Sequence, residues 1–231
     1  MKTIGLVGGT GWVSSVDYYR IINLEINKRQ GGLTFAKCIL YSVNYGEIDA
    51  FNKRNDLEGV YTLILDAANK LVGIGADCIL LCANTLHMFA DRIEQQIPVP
   101  LIHIATATAK HIKTRNITKV GLLGTRDTME KDFYKSKLNK ENIQVFVPEK
   151  NDREFIHNTI MNEILKEILS KTSKARFLEI INNLQLKGAE GIVLGCTEIP
   201  LLIKETDVCI PVFNTTVIHS LAAVDFALGK N

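Results

Sequence analysis

The sequence predicts an α/β protein of two similar lobes, each built on a parallel-rich sheet and related to the other by a pseudo-two-fold. Two observations carry that expectation. Short Val, Ile and Leu runs alternate with longer amphipathic stretches, as in βα units, and the second half of the chain repeats the first. In order, the apolar runs at 3–7, 36–42, 78–82, 101–103, 119–123, 144–146, 191–194 and at Val212 read as strands. Most lack polar alternation, which suits strands covered on both faces. Between them, 56–73 and 174–185 have helical periodicity, each leading into a Gly-Ala pair and then a strand. Phe155, Ile156, Ile160, Ile164, Leu165, Ile168 and Leu169 recur at helical spacing and predict one helix of about four turns.

The repeat is visible in three places. Residues 75–85 (GADCILLCANT) match 188–198 (GAEGIVLGCTE), 113 residues later. Residues 4–10 (IGLVGGT) match 120–125 (VGLLGT), and Pro98-Val-Pro100 matches Ile210-Pro211-Val212. Three matches in one order argue for duplication. Lobe one is expected at 1–98 plus 210–231, because 211–228 reads as a strand and helix returning to it, and lobe two at 99–209. Loops at strand C-termini are where open α/β sheets bind ligands. The duplication therefore predicts an active site in a cleft between the lobes.

Composition narrows the function. The 231 residues carry 27 Lys+Arg against 25 Asp+Glu, a net charge of +2, with no long basic run, so nucleic acid is not an expected partner. No apolar stretch approaches the roughly 18 residues of a membrane span. Five cysteines without paired spacing, and no leader pattern, predict a reduced, cytoplasmic protein.

Three strand-end loops are candidates for chemistry. Gly8-Gly-Thr-Gly-Trp12 joins a strand to a helix, and its backbone N–H groups, with Thr10, suit an anion. It is equally a tight turn that glycine permits. A dinucleotide fingerprint fits poorly: Ser14 stands where a small apolar residue is needed, and no acid ends the strand at 40–42. The second loop is Cys82-Ala83-Asn84-Thr85, and the third, its repeat partner, is Gly195-Cys196-Thr197-Glu198. A cysteine at a loop start, beside hydroxyl donors and a helix N-terminus, is suited to activation as a thiolate. Cys196 is therefore the expected functional thiol, whereas Cys38, Cys78 and Cys209 lie in apolar runs and read as inert. Thr125 and Thr128, in the repeat partner of the glycine loop, suit either carboxylate binding or helix capping. The histidines show no metal-ligand spacing; His87 follows the second loop by less than a turn, and the others read as structural or surface.

The segments 8–12, 82–87, 121–134 and 195–202 together resemble the aspartate/glutamate racemase family, over nearly the whole chain. The branch most similar is that of broad-specificity or Asp/Glu-specific amino-acid racemases. The resemblance implies two α/β lobes, no cofactor and no metal, a small amino-acid or dicarboxylate substrate, and a homodimer. It further implies two cysteines on opposite sides of the substrate Cα, one removing the α-proton and the other returning one. Asn84, Thr85, Thr125, Thr128 and Thr197 match positions that bind carboxylates, with backbone groups at Thr10 assisting. Glu198 is expected to orient the ammonium group or tune Cys196. Asn52, Lys53, Arg54 and Lys166 lie in stretches corresponding loosely to those that bind a distal carboxylate. Thr106 stands where relatives often carry Asp.

One position departs. The family's first cysteine directly precedes the Asn-Thr pair, where this chain has Ala83, and the internal repeat independently aligns Cys196 with Ala83. Cys82 is one residue early, and neighbouring strand side chains point to opposite faces; it is a substitute only if a bulge re-aims it. Three readings stay open: a one-sided or impaired racemase working through Cys196, a silent amino-acid or dicarboxylate binder, and an engineered Cys-to-Ala variant.

Overall fold

A computed structural model describes residues 1–230. The chain divides into two compact units: unit 1 is Met1–His103 with the chain from His219 onward, and unit 2 is Ile104–Ile218.

Unit 1 runs β1 (Ile4–Gly8), α1 (Trp12–Gln30), β2 (Cys38–Ser42), α2 (Tyr45–Lys53), α3 (Leu57–Gly73), β3 (Cys78–Leu81), a 3₁₀ turn at Thr85–Phe89 and α4 (Ala90–Glu94). Its strands are parallel in the order β2-β1-β3, and Leu101 adds an isolated parallel bridge to Ile79. Unit 2 runs α5 (Ile104–Lys113), β4 (Lys119–Gly124), α6 (Arg126–Glu130), α7 (Asp132–Lys140), β5 (Gln144–Phe146), α8 (Lys150–Asn162), α9 (Lys171–Leu186), β6 (Gly191–Gly195), α10 (Ile199–Leu202), β7 (Val212–Asn214) and the first residues of α11 (Thr215–Ala227), whose remainder from His219 belongs to unit 1. Its sheet is parallel in the order β5-β4-β6-β7.

Local chemistry sets these elements. Asp56 caps α3, its carboxylate accepting from the Gly59 amide at 2.8 Å. Beyond α3 and α9, Gly75 (φ +96°) and Gly188 (φ +103°) take the left-handed turn that glycine adopts freely. β1 and β3 are buried throughout because helices cover both faces. On one side Val7, Ile79 and Leu81 pack with Ile64, Ala67 and Leu71 of α3. On the other, Ile4, Leu6 and Leu80 pack with Tyr18, Ile22 and Ile26 of α1 and Ala223 and Val224 of α11. In unit 2, Val120, Leu122 and Val193 face Ile104, Ala109, Tyr134 and Leu138, while Leu123, Ile192 and Leu194 face Ile160, Phe177 and Ile181.

The duplication extends to individual hydrogen bonds. Ile79 N donates to Pro100 O at 3.0 Å, and Ile192 N to Pro211 O at 2.8 Å. Asp77 N reaches Thr3 O and Glu190 N reaches Lys119 O, both at 2.8 Å. The same two acids close their strand starts: the Asp77 carboxylate accepts from Thr3 N at 2.6 Å, and that of Glu190 from Thr118 N at 2.9 Å.

Four expectations need correction. The strand at Val212 pairs with β6, so the chain at 210–218 is grouped with unit 2 rather than with lobe one. Residues 101–103 form a single bridge instead of a strand. The helix expected over 155–169 is α8, which begins earlier and stops at Asn162, followed by a 3₁₀ turn at Ile164–Lys166. The apolar spacing survives because Ile164 still packs into the core, but Glu167 is left-handed at φ 59°, and Ile168 and Leu169 are exposed. Cys209 is exposed, because its apolar run spans a loop between short elements and not a strand.

Candidate active site

In unit 1, β1 and β3 end side by side, with Val7 paired to Leu81, so the loops that follow leave from adjacent points. Gly9 stands at φ +92°, and a Cβ there would lie 2.1 Å from the Val43 carbonyl oxygen, so only glycine fits. Ser15 shapes this turn: its Oγ accepts from Gly9 N at 2.9 Å and donates to the Gly11 carbonyl at 3.0 Å. No side chain caps α1 at Gly11, and the Thr10 hydroxyl is buried without a hydrogen-bond partner. That is an arrangement of donors open to an anion. In the neighbouring loop Asn84 is buried, whereas Ala83 and Thr85 are partly exposed.

Cys82 points elsewhere. It is buried in the α1-side core with Ile4, Leu6 and Tyr18, and dry surroundings push its thiol far up. No bulge re-aims it, so its place as a substitute for the missing cysteine is withdrawn. Ala83 packs against the opposite cluster, with Val7 and Leu81.

In unit 2, β4 and β6 end in register, Gly124 opposite Gly195. Thr128 lies against both glycines, and its hydroxyl is 3.1 Å from that of Thr125. Thr125 occupies the N-cap position of α6, but its side chain makes no capping bond. Immediately beyond β6, the Cys196 thiol donates to Glu198 Oε2 at 3.1 Å, and the Thr197 hydroxyl donates to the same oxygen at 2.8 Å. All three side chains are buried. Burial and then the Glu198 charge hold the Cys196 thiol well above its ordinary range, against the opposing pull of the Glu198 and Ile199 amides. This departs from the expectation that Thr donors favour the thiolate: Thr197 donates to Glu198, and the sulfur is held as a thiol that donates to the same carboxylate oxygen. Removing that charge in Glu198→Gln is expected to lower the pH midpoint of Cys196 alkylation by iodoacetamide, with a severalfold faster rate at pH 8, read by peptide mass spectrometry. An unchanged midpoint would show that burial alone sets the thiol.

The structure thus brings together Thr10 with the Asn84 loop in unit 1, and Thr125, Thr128, Cys196, Thr197 and Glu198 in unit 2. Asn52 and Arg54 are exposed around the C-terminal end of α2, with Arg54 over the Phe51 ring, and Lys166 is exposed in its 3₁₀ turn. None of these three is oriented by a hydrogen bond or ion pair to a loop residue. Ser15 escaped the sequence reading, as did the grouping of His103 and His219 with His87, which alone the sequence places beside the Asn84 loop. A lone His219 within the apolar helix of 215–227 was the available signal for the latter. Among the described residues no cluster of His, Cys, Asp or Glu suits a metal, and no helix is long and apolar enough to cross a membrane.

Paired parallel sheets from a duplicated chain, with small polar side chains and a thiol–carboxylate pair at the strand ends, define an α/β protein of the racemase type. A family model for Asp/Glu/Hydantoin racemases matches residues 7–223, and the chain belongs to that family. A Yersinia pestis protein presented as a candidate Asp/Glu racemase is 45% identical, with 99% of this chain and 100% of that one covered and a TM-score of 0.92. An aspartate racemase homologue from Pyrococcus horikoshii OT3 is 34% identical, with 99% and 100% covered and a TM-score of 0.84. The broad specificity amino-acid racemase RacX of Bacillus subtilis is 24% identical over 160 residues, 66% of each chain.

Proposed function

We propose that the protein is a cofactor-independent amino-acid racemase acting on aspartate, glutamate or a related small amino acid, and that it works one face of the substrate far better than the other. The observation that carries this reading is the buried Cys196–Glu198 pair at the end of β6. Glu198 takes the Cys196 proton as substrate binds, and the thiolate then removes the α-proton, becoming a thiol again. Thr10, Asn84, Thr85, Thr125, Thr128 and Thr197 are the carboxylate ligands in this reading. Their preorganised donors stabilise the carbanion, the demand that dominates when no electron sink is present. Return of a proton by Cys196 to the same face gives exchange without inversion. Inversion needs a proton from the opposite face, where Ala83 offers none and water is the remaining acid. The cysteines, all free among the described residues, suit a reducing cytoplasm. A homodimer belongs to the same reading.

The test is α-proton exchange in D₂O by proton NMR on L-Asp, D-Asp, L-Glu and D-Glu, with a chiral assay on the same tubes and light scattering on the same sample. Exchange of one enantiomer well ahead of inversion is expected, at twice the chain's mass. Exchange with equally fast inversion would overturn the one-sided mechanism. Tight binding of these ligands without exchange would identify a silent binder, which the alanine at position 83 otherwise favours.

A further inference from the structure

Behind the Asn84 loop, unit 1 buries a group of rings that the proposed chemistry does not use. Past Leu81 the β1–β3 ladder has ended, and the last strand-like bond is Cys82 N to Val7 O at 2.9 Å. The next carbonyl, Ala83 O, is taken by the His87 ring, with Nδ1 at 3.0 Å. A carbonyl only accepts, so Nδ1 carries the proton. His87 is 2% exposed, and its ring lies 4.7 Å from that of His103 and 5.4 Å from that of His219, centroid to centroid. His219 has the opposite tautomer. Its Nε2 donates to Ile102 O at 2.6 Å, and its Nδ1 accepts from the Tyr18 hydroxyl at 2.7 Å. Both partners are themselves fixed, Tyr18 in the α1 core and Ile102 by its amide bond to Ile79 O at 3.0 Å. Burial keeps both imidazoles neutral.

The geometry points to His87 as a positioning residue for substrate binding. Its Nδ1–H fixes the Ala83 carbonyl and so sets the direction in which Asn84 and Thr85 leave the strand, while the His219–Tyr18 pair holds the His87 ring in place. The inference rests on the proposed role of Asn84 and Thr85 as carboxylate ligands. It accounts for a histidine four residues after Ala83, where helical packing alone asks for an apolar side chain.

The comparison that tests it is His87→Asn against His87→Gln. An asparagine amide reaches the position of Nδ1 and keeps a donor there; a glutamine amide reaches that of Nε2 and does not. The expected result is a KM for α-proton exchange raised about tenfold or more in His87→Gln with kcat changed less than about threefold, and near-normal KM in His87→Asn, the pattern of lost ground-state binding. A readout independent of turnover accompanies it. Amide hydrogen–deuterium exchange across residues 83–87, by mass spectrometry of the ligand-free protein, is expected to quicken about tenfold in His87→Gln only. Equal effects of the two variants on KM, or equal protection of 83–87 in both, would overturn the proposal. If the wild type turns over none of the four amino acids, the racemase reading fails while the exchange measurement still decides the positioning role.

Discussion

Ala83→Cys is expected to raise the rate of racemisation about 100-fold or more, the scale that a positioned acid or base contributes. The duplicated chain supplies the reason. Position 83 stands in one repeat where Cys196 stands in the other, just past strands that pair in the same register with their neighbours, Leu81 with Val7 and Leu194 with Leu123. The substitution adds one sulfur atom to a partly exposed side chain packed against Val7 and Leu81, so the fold has room for it. The gain should appear in inversion, measured by the chiral assay, and much less in exchange of the enantiomer that Cys196 already serves. Adding Cys196→Ser to the same protein should remove both. An Ala83→Cys protein that binds substrate normally and inverts it no faster would count against the assignment of position 83 to the opposite face of Cα.

The fold was largely legible because its signals are redundant. β1, β3, β4 and β6 are apolar without alternation, and the glycines at 75 and 188 end their helices identically. The errors fall where a pattern outlasts the element that made it. Ile164 keeps helical spacing while the backbone has already turned at Glu163, whose carboxylate accepts from the Ser173 hydroxyl at 2.7 Å. The tail from 210 was divided wrongly because Val212 can extend either sheet by sequence, and only pairing decides. At the strand ends, residue types singled out Cys196 and its neighbours as candidates, but not the direction of their electrostatics. Thr197 beside a thiol suggests a donor to sulfur. In the folded protein its hydroxyl is spent on Glu198. The ring cluster was illegible for a similar reason: His87, His103 and His219 are spread over more than a hundred residues and meet only through tertiary packing.

That cluster makes the folded state acid-sensitive. His219, held neutral by burial and by its neighbour His87, protonates in the folded protein only at about pH 3, and His87 is shifted in the same direction by burial and by His103. The Tyr18 hydroxyl donates to His219 Nδ1 on the other side of the ring. In the unfolded chain each imidazole takes up its proton near pH 6.5. Below that pH the unfolded state binds more protons than the folded one, so stability is full above pH 6.5 and falls steadily as pH drops. For His219 alone the loss between pH 7.5 and 4.5 is about 3 kcal/mol, and His87 adds to it with the same sign. The partly buried His111 and His157, also lowered by burial, contribute in the same sense. Carboxylates lowered by surface partners, such as Glu58 beside Arg92 and Asp207 beside Lys174, lose their support mainly below this window. Urea titrations at pH 7.5, 6.5, 5.5 and 4.5 should therefore show a steepening loss of unfolding free energy. His219→Gln, which removes the proton site but keeps polar atoms near Tyr18, should start less stable and lose less on acidification. The same slope in both proteins would mean that His219 is not held neutral by its burial. A slope flattened by only part of its value would leave His87 as the chief remaining source, and would connect acid sensitivity directly to the loop that carries Asn84 and Thr85.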